Sequence, residues 1–488
     1  MTPINGSSPH ANISRLKTGI VVCAGLTFAT SSCTSTGDLS KFRLAYASEE
    51  SLSVKAESIP ASEELAVKPE LAPAKALSEA ADPDESSADQ AAPQVLTTAT
   101  NLFEHADVDL TSKGLTITSE DGSATFRVGG RIQIDTALHS RDSVAGDEIT
   151  DGNELRRGRF FIAGKQEGGW LWSGEIDFAS SSNIVRDFWL AHEDANKQRI
   201  TVGNQKQPFS LGLEMSSNDL PFVERGIDNF LIVAFVDRAI GLRVDTPTEN
   251  SLFSFGLYGE SLFEPGGSAQ EDEGYGATAR YVYSPITTDD EVLHLAVRAA
   301  VRAPSSNDGV QIRTESTNQS NFRIQDTGTI TDVQETYLYG FETVYAAGPW
   351  SLGGEYNLVD IDRSGEDLQF TSWHVEGTYS LTGESRAGAY KIGAGEFKRL
   401  KQETTGINPF DGGGAWEAVA RFANLDLNDP FIRAGEANAL SLGINWYANT
   451  NVRFLFDWTR ILNTSGGDAV TEGSDDLDIF TFRAQLLF

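Results

Sequence analysis

Along residues 105–488, apolar side chains recur at every second position. In 128–138, Val128, Ile132, Ile134 and Leu138 alternate with Arg127, Arg131, Gln133 and Asp135. In 170–179, Trp170, Trp172, Ile176 and Phe178 alternate with Ser173, Glu175 and Asp177. The same two-residue period runs through 293–302, 373–381 and 452–458. The chain ends on "DIFTFRAQLLF", in which Phe480, Phe482, Ala484, Leu486 and Phe488 share one face of a strand and Thr481, Arg483 and Gln485 the other. A strand sends successive side chains to opposite faces, so each segment has one apolar and one polar side. Most of these runs are 8–12 residues long, nearer the ~9–11 residues of a bilayer-crossing strand than the ~5–6 of a soluble one.

The connections sort into two kinds. Short ones are "GKQEGG" (164–169), "TPTEN" (246–250), "AAGPW" (346–350) and "YANTN" (447–451), and long ones are 139–154, 204–238, 260–273, 303–334 and 461–477. Short turns on one side and long loops on the other describe an outer-membrane barrel, with the short turns in the periplasm. Seventeen segments have strand character, but a bacterial barrel with both termini on one side needs an even number. Walking along the chain, the direction breaks between "YSLTGE" (379–384) and "GAWEAVARF" (414–422). The segment "AYKIGAGEFKRL" (389–400) is therefore assigned to a long periplasmic connection tucked inward, leaving an all-β, 16-stranded antiparallel transmembrane β-barrel. Aromatics near strand ends, among them Trp170, Tyr345, Trp350, Trp446 and Trp458, suit interfacial girdles.

Composition adds two segments ahead of the barrel. Arg15 and Lys17 precede an apolar "GIVVCAGLTFA" (19–29) and small residues "TSSC" (30–33), the pattern of a secretory signal. Cys33 is a candidate lipidation site, although Thr30 stands where a branched aliphatic is usual. Residues 34–104 are rich in Ala, Glu, Ser and Pro with few aromatics, too polar to bury a core, and are expected to be a disordered spacer. The expected division is thus 1–33 signal peptide, 34–104 spacer and 105–488 barrel. The only cysteines are Cys23 and Cys33, so cleavage beyond Ser32 leaves the folded part without a disulfide or a cysteine metal site. No apolar run reaches the ~18–20 residues of a transmembrane helix, which does not bear on a barrel. The net charge of −32, from 70 acidic and 38 basic residues, makes nucleic acid an unsuitable partner.

Several stretches in order resemble the phosphate-selective porins O and P: "VGGRIQID" (128–135), "LRRGRFFI" (155–162), "VGNQKQPFSLGLE" (202–214) followed by Ser216, Ser217 and "VER" (223–225), "YSLTGE" (379–384), "GAWE" (414–417) and "GINWYAN" (443–449). The resemblance implies a homotrimer of 16-stranded barrels in the bacterial outer membrane, surrounded by lipid. It also implies a third loop folded into each lumen and a basic path for small inorganic, phosphate-like anions, with no cofactor. Residues 204–238 fit that loop, because their apolar run "FLIVAF" (230–235) would otherwise face water. The terminal Phe488 resembles the recognition signal read by the barrel assembly machinery.

The same resemblance carries Arg225 onto an arginine of the family's central binding region and Arg156 and Arg157 onto its paired arginines. Ser216 and Ser217 are candidate hydroxyl donors to an oxyanion. After "GLE" the family carries a ligand-contacting lysine, whereas this chain has Met215. Strand phase places Arg131, Arg159, Arg243, Arg298 and Arg302 in the lumen, with Arg127, Arg157, Arg199, Arg280, Arg421, Arg453 and Arg483, while only seven lysines follow residue 105. Cation ladders select anions, and arginine holds oxyanions in two bonds. Roughly half of these arginines are expected to be paired with wall carboxylates instead. Two alternatives share part of the pattern. A general or cation-leaning porin differs only in net lumen charge. A barrel enzyme would use inward His294 or His374 with Glu376, but no catalytic spacing supports it.

Overall fold

In the computed structural model, the residues described are 106–144, 147–180, 184–260, 262, 274–305, 309–315, 322–406, 408, 410, 412–465 and 477–488. They all belong to the compact unit Asp89–Phe488. The signal and spacer segments lie outside the described residues, as do both cysteines.

Sixteen strands run antiparallel in chain order: β1 (Thr125–His139), β2 (Gly152–Gln166), β3 (Trp170–Asp177), β4 (Val185–Glu193), β5 (Arg199–Lys206), β6 (Arg238–Pro247), β7 (Ser251–Tyr258), β8 (Tyr275–Thr287), β9 (Glu291–Ala303), β10 (Val333–Ala347), β11 (Trp350–Arg363), β12 (Leu368–Ser380), β13 (Ala415–Asp429), β14 (Ile432–Tyr447), β15 (Val452–Ser465) and β16 (Leu477–Leu487). The ring closes where β16 pairs with β1, Arg483 opposite Asp135 and Leu487 opposite Arg131. Closure leaves no unpaired edge in the wall, which lets a sheet stand in hydrocarbon. A short hairpin, Asp107–Thr111 and Gly114–Thr118, lies against the start of β1 beyond the end of β16.

The alternation is realised in burial. On β16, Phe480, Phe482 and Leu486 face outward while Ile479, Arg483, Gln485 and Leu487 are buried. Outward apolar residues recur on every wall strand, such as Phe253, Phe255 and Leu257 on β7 and Tyr339 and Phe341 on β10. This is the apolar belt of a membrane barrel. At the rim with the short turns, Trp416, Trp446, Phe454 and Phe482 form a stacked row across neighbouring strands.

The connections 167–169, 194–198, 248–250, 288–290, 348–349 and 448–451 lie at one rim. The long connection 381–414 is at that rim too, and it is not a through-strand. Its Gly395 carbonyl accepts from Arg280 of β8, and its Tyr390 hydroxyl meets His294 Nδ1 of β9 at 2.7 Å. At the opposite rim, residues 364–367 and 430–431 are as tight as the short turns, unlike the long loops expected on that side. Local chemistry closes the second: Asp429 Oδ1 accepts from the Phe431 amide at 3.0 Å.

Candidate functional site

The lumen is narrowed by chain segments held through their own backbone. A loop inside a barrel must find partners for its amides and carbonyls. In 207–237, the Leu211 and Gly212 amides donate to Glu342 and Glu355 at 2.8 Å each. The Val223 amide donates to Asp457 at 2.6 Å, and its carbonyl accepts from Arg483. The Leu220 and Pro221 carbonyls accept from Arg453 and Asn445. The apolar run forms a short helix, Asn229–Val233, whose Leu231 and Ile232 are buried in a cluster with Val359, Ile361 and Phe370 of β11 and β12. The third loop is thus folded inward as the sequence suggests.

A second inward loop carried no such signal. Within 304–332, Ile312, Phe322, Ile324 and Ile330 join the same cluster, and Gln325 Nε2 donates to the Leu425 and Gly435 carbonyls of β13 and β14. Its apolar residues are scattered through a polar sequence, so only the fold brings them together. With these two loops and the 381–414 connection occupying the β8–β15 side, an open passage lies along β1–β6. It has a volume of about 950 Å³ and is lined by wall residues, by the third loop and by Gly393, Ala394, Glu396 and Lys398.

Two irregularities in the wall set its charge. At the β1–β2 pairing, Gln133 faces Arg157 and Ile134 faces Leu155, so Arg156 is an extra residue. At the β3–β4 pairing, Glu175 faces Asp187 and Ile176 faces Val185, so Arg186 is an extra residue. A bulge of this kind re-aims a side chain. Both Arg156 and Arg186 line the passage, although strict alternation gives Arg186 the lipid-facing phase of Phe188 and Leu190.

Most lumen cations are already neutralised. Arg131 pairs with Glu175 at 2.5 Å and donates to the Ser216 and Ser217 hydroxyls at 3.3 and 3.1 Å. Arg159 pairs with Glu175 and Asp177, and Arg243 with Glu214 and Asp245. Arg156, Arg157 and Arg483 converge on Glu224 at 3.0, 2.9 and 2.7 Å. Burial raises the Glu224 pKa, but Arg157, Arg156 and Arg483 outweigh it and hold the carboxyl well below its usual value. Of the twelve arginines that strand phase turns inward, eight have a carboxylate partner, more than the rough half expected.

Four cations on the passage have no carboxylate within ion-pair distance among the described residues. Arg225 donates to the Gly212 and Met215 carbonyls at 2.5 and 2.9 Å. Lys206 Nζ donates to the Glu214 and Met215 carbonyls at 3.0 and 3.1 Å. Arg199 lies 4.4 Å from the Trp189 ring centroid, and Arg186 Nε has no hydrogen-bond partner. Of the expected site residues, Arg131, Arg156, Arg157, Arg159, Arg225, Arg243, Ser216 and Ser217 are brought together on this passage. Arg298 and Arg302 are not. Arg298 is buried against Glu342, Glu355 and Asn357 where loops fill the lumen, and Arg302 pairs with Glu260. Met215 is buried among Leu220, Tyr390 and Phe397 and puts no charge in the passage.

A closed barrel with an apolar outer belt and a polar lumen narrowed by inward loops is a transmembrane pore. A family model described as phosphate-selective porin O and P matches residues 126–488; the chain belongs to this family and is a porin of the bacterial outer membrane. Porin O of Pseudomonas aeruginosa is 23% identical over 423 residues, which span 78% of this chain and 93% of that protein. An uncharacterised protein of Caulobacter vibrioides is 24% identical over 380 residues, 75% of this chain and 74% of its own. Among solved structures, the anion-selective porin of Comamonas acidovorans matches with 13% identity and a TM-score of 0.45, covering 75% of this chain and all of that one.

Proposed function

We propose that this porin passes small anions, phosphate-like oxyanions among them, by passive diffusion, and that it does so as a homotrimer. The observation that carries the anion preference is the set of four cations, Arg186, Arg199, Lys206 and Arg225, left without carboxylate partners on the open passage. A permeating anion exchanges its water for such groups without displacing an existing ion pair, which keeps binding weak enough for release. The passage is lined by twelve basic and seven acidic side chains, so its local balance is positive although the whole chain is acidic. Arg131 already donates to the Ser216 and Ser217 hydroxyls, which frees their own protons to point at an oxyanion. The trimer and the phosphate preference rest on family likeness.

The test is a planar-bilayer measurement of the zero-current potential across a potassium chloride gradient, followed by addition of phosphate. Chloride preference, with conductance falling as phosphate is added, is the expected outcome. Potassium preference would return the pore to the cation-leaning alternative, with its seven lining carboxylates in control.

A further inference from the structure

Two unlike linings meet in the passage. One is the cation set just described. The other is apolar and follows from helix geometry. In Asn229–Val233, positions three apart share a face; Leu231 and Ile232 turn into the core, Val233 turns to the passage, and Phe230 packs against the edge of that core while also lining the passage. Val233 is 36% exposed there, and Phe230 is half-buried. Trp189 adds a smaller apolar surface: its neighbours Phe188 and Leu190 face outward and its indole lines the passage, with one ring face already covered by Arg199 at 4.4 Å. Three apolar side chains on one cation-lined passage offer an organic anion a surface for its apolar part as well as partners for its charge. The volume of about 950 Å³ is within the range of sites that hold whole organic molecules. At Met215, the resemblance expects a lysine on the path, and here the side chain is withdrawn into an apolar cluster.

We propose that the preferred solutes are amphipathic organic monoanions, aryl carboxylates in particular. The carboxylate is handed along Arg186, Lys206 and Arg225, while the ring slides over Phe230, Val233 and Trp189. This rests on the anion-porin function proposed above and narrows its substrate class. Stacked or edge-on aromatic contact is favourable without being tight, which suits transit rather than capture.

The experiment is a bi-ionic potential series in planar bilayers with the full-length porin, comparing potassium salts of benzoate, acetate, phosphate and chloride. Benzoate should exceed acetate in permeability by roughly threefold, although it is larger and diffuses more slowly in water. In Val233→Thr, which keeps the side chain's shape, and in Phe230→Asn, the benzoate-to-acetate ratio should fall toward that of free diffusion. Heat-shifted gel mobility confirms that both variants are folded barrels. If chloride is preferred over potassium but benzoate trails acetate, or the ratio is the same in wild type and both variants, the aryl-carboxylate assignment is wrong while the anion pore stands. Preference for potassium over chloride would overturn both.

Discussion

Arg186 and Glu224 show how single residues set the lumen charge. Arg186 reaches the passage because a bulge adds one residue opposite Glu175 and Ile176, and it has no carboxylate partner there. Replacing it by glutamate should lower the chloride-to-potassium permeability ratio severalfold, on the order of threefold to tenfold for reversing a charge at a constriction. Arg225→Glu should do the same, while Arg313→Glu, exposed on the 304–332 loop and absent from the passage lining, should change the ratio little. Zero-current potentials of the three variants check this, and equal effects at all three sites would sink the assignment. Glu224 works in the opposite sense by masking Arg156, Arg157 and Arg483. Its folded-state pKa lies well below the usual 4.5, so its ion pairs add stability that is fully present above about pH 4.5 and is lost as pH falls through the lowered value. Chloride preference should therefore be insensitive to this group from pH 7 to about 4.5 and rise only at lower pH as the arginines are unmasked. Glu224→Gln should show the raised preference already at pH 7, with noisier open-channel current from a less firmly held loop.

At the scale of elements, much of this barrel is legible from two-residue periodicity, because one face of every strand meets hydrocarbon and the other meets water. The strands near 128–138 and 478–488, the inward loop around 230–235 and the non-spanning segment 389–400 are visible in the sequence for that reason. Bulges are not, since one extra residue in a strand looks like ordinary alternation until its partner strand is known; Arg186 was hidden in this way. The inward fold of 304–332 was hidden for another reason. Ile312, Phe322 and Ile324 are too dispersed to form a run, and their burial depends on β13 and β14, distant in the chain. Nor does phase say what lies in front of an inward arginine, which is why Arg298, packed against Glu342 and Glu355, is not on the path. Its network invites a stability test. Glu342 is fully buried with Arg280, Arg298 and His294, so Glu342→Gln leaves the buried Arg280 without a carboxylate and Arg298 with Glu355 alone. Removing one partner from such a cluster costs about 3–5 kcal/mol. Urea unfolding of the detergent-solubilised variant should show a correspondingly lower midpoint with unchanged slope.

For the whole molecule, net charge and pore charge have opposite signs, and ionic strength separates them. The chain carries −32 overall, while the passage is lined by twelve cationic and seven anionic side chains, four of the cations without carboxylate partners. If selectivity came from the total charge, the pore would favour potassium at low salt. If it comes from local cations inside a low-dielectric wall, chloride is favoured, because fields there are focused on the ion's own route. Screening then makes the two cases quantitative. The Debye length is about 30 Å at 0.01 M, comparable with the molecule, and about 3 Å at 1 M, comparable with a single contact. Remote acid should therefore weaken anion preference only in the most dilute solutions. The lining cations should act through moderate salt and fade towards molar concentrations as counter-ions occupy the passage. Zero-current potentials at a fixed tenfold gradient, centred successively at about 0.03, 0.1 and 1 M, should give chloride preference that peaks at or near the middle value. A preference independent of salt would mean that the passage discriminates by size alone, and potassium preference at every concentration would mean that the lining carboxylates outweigh Arg186, Arg199, Lys206 and Arg225.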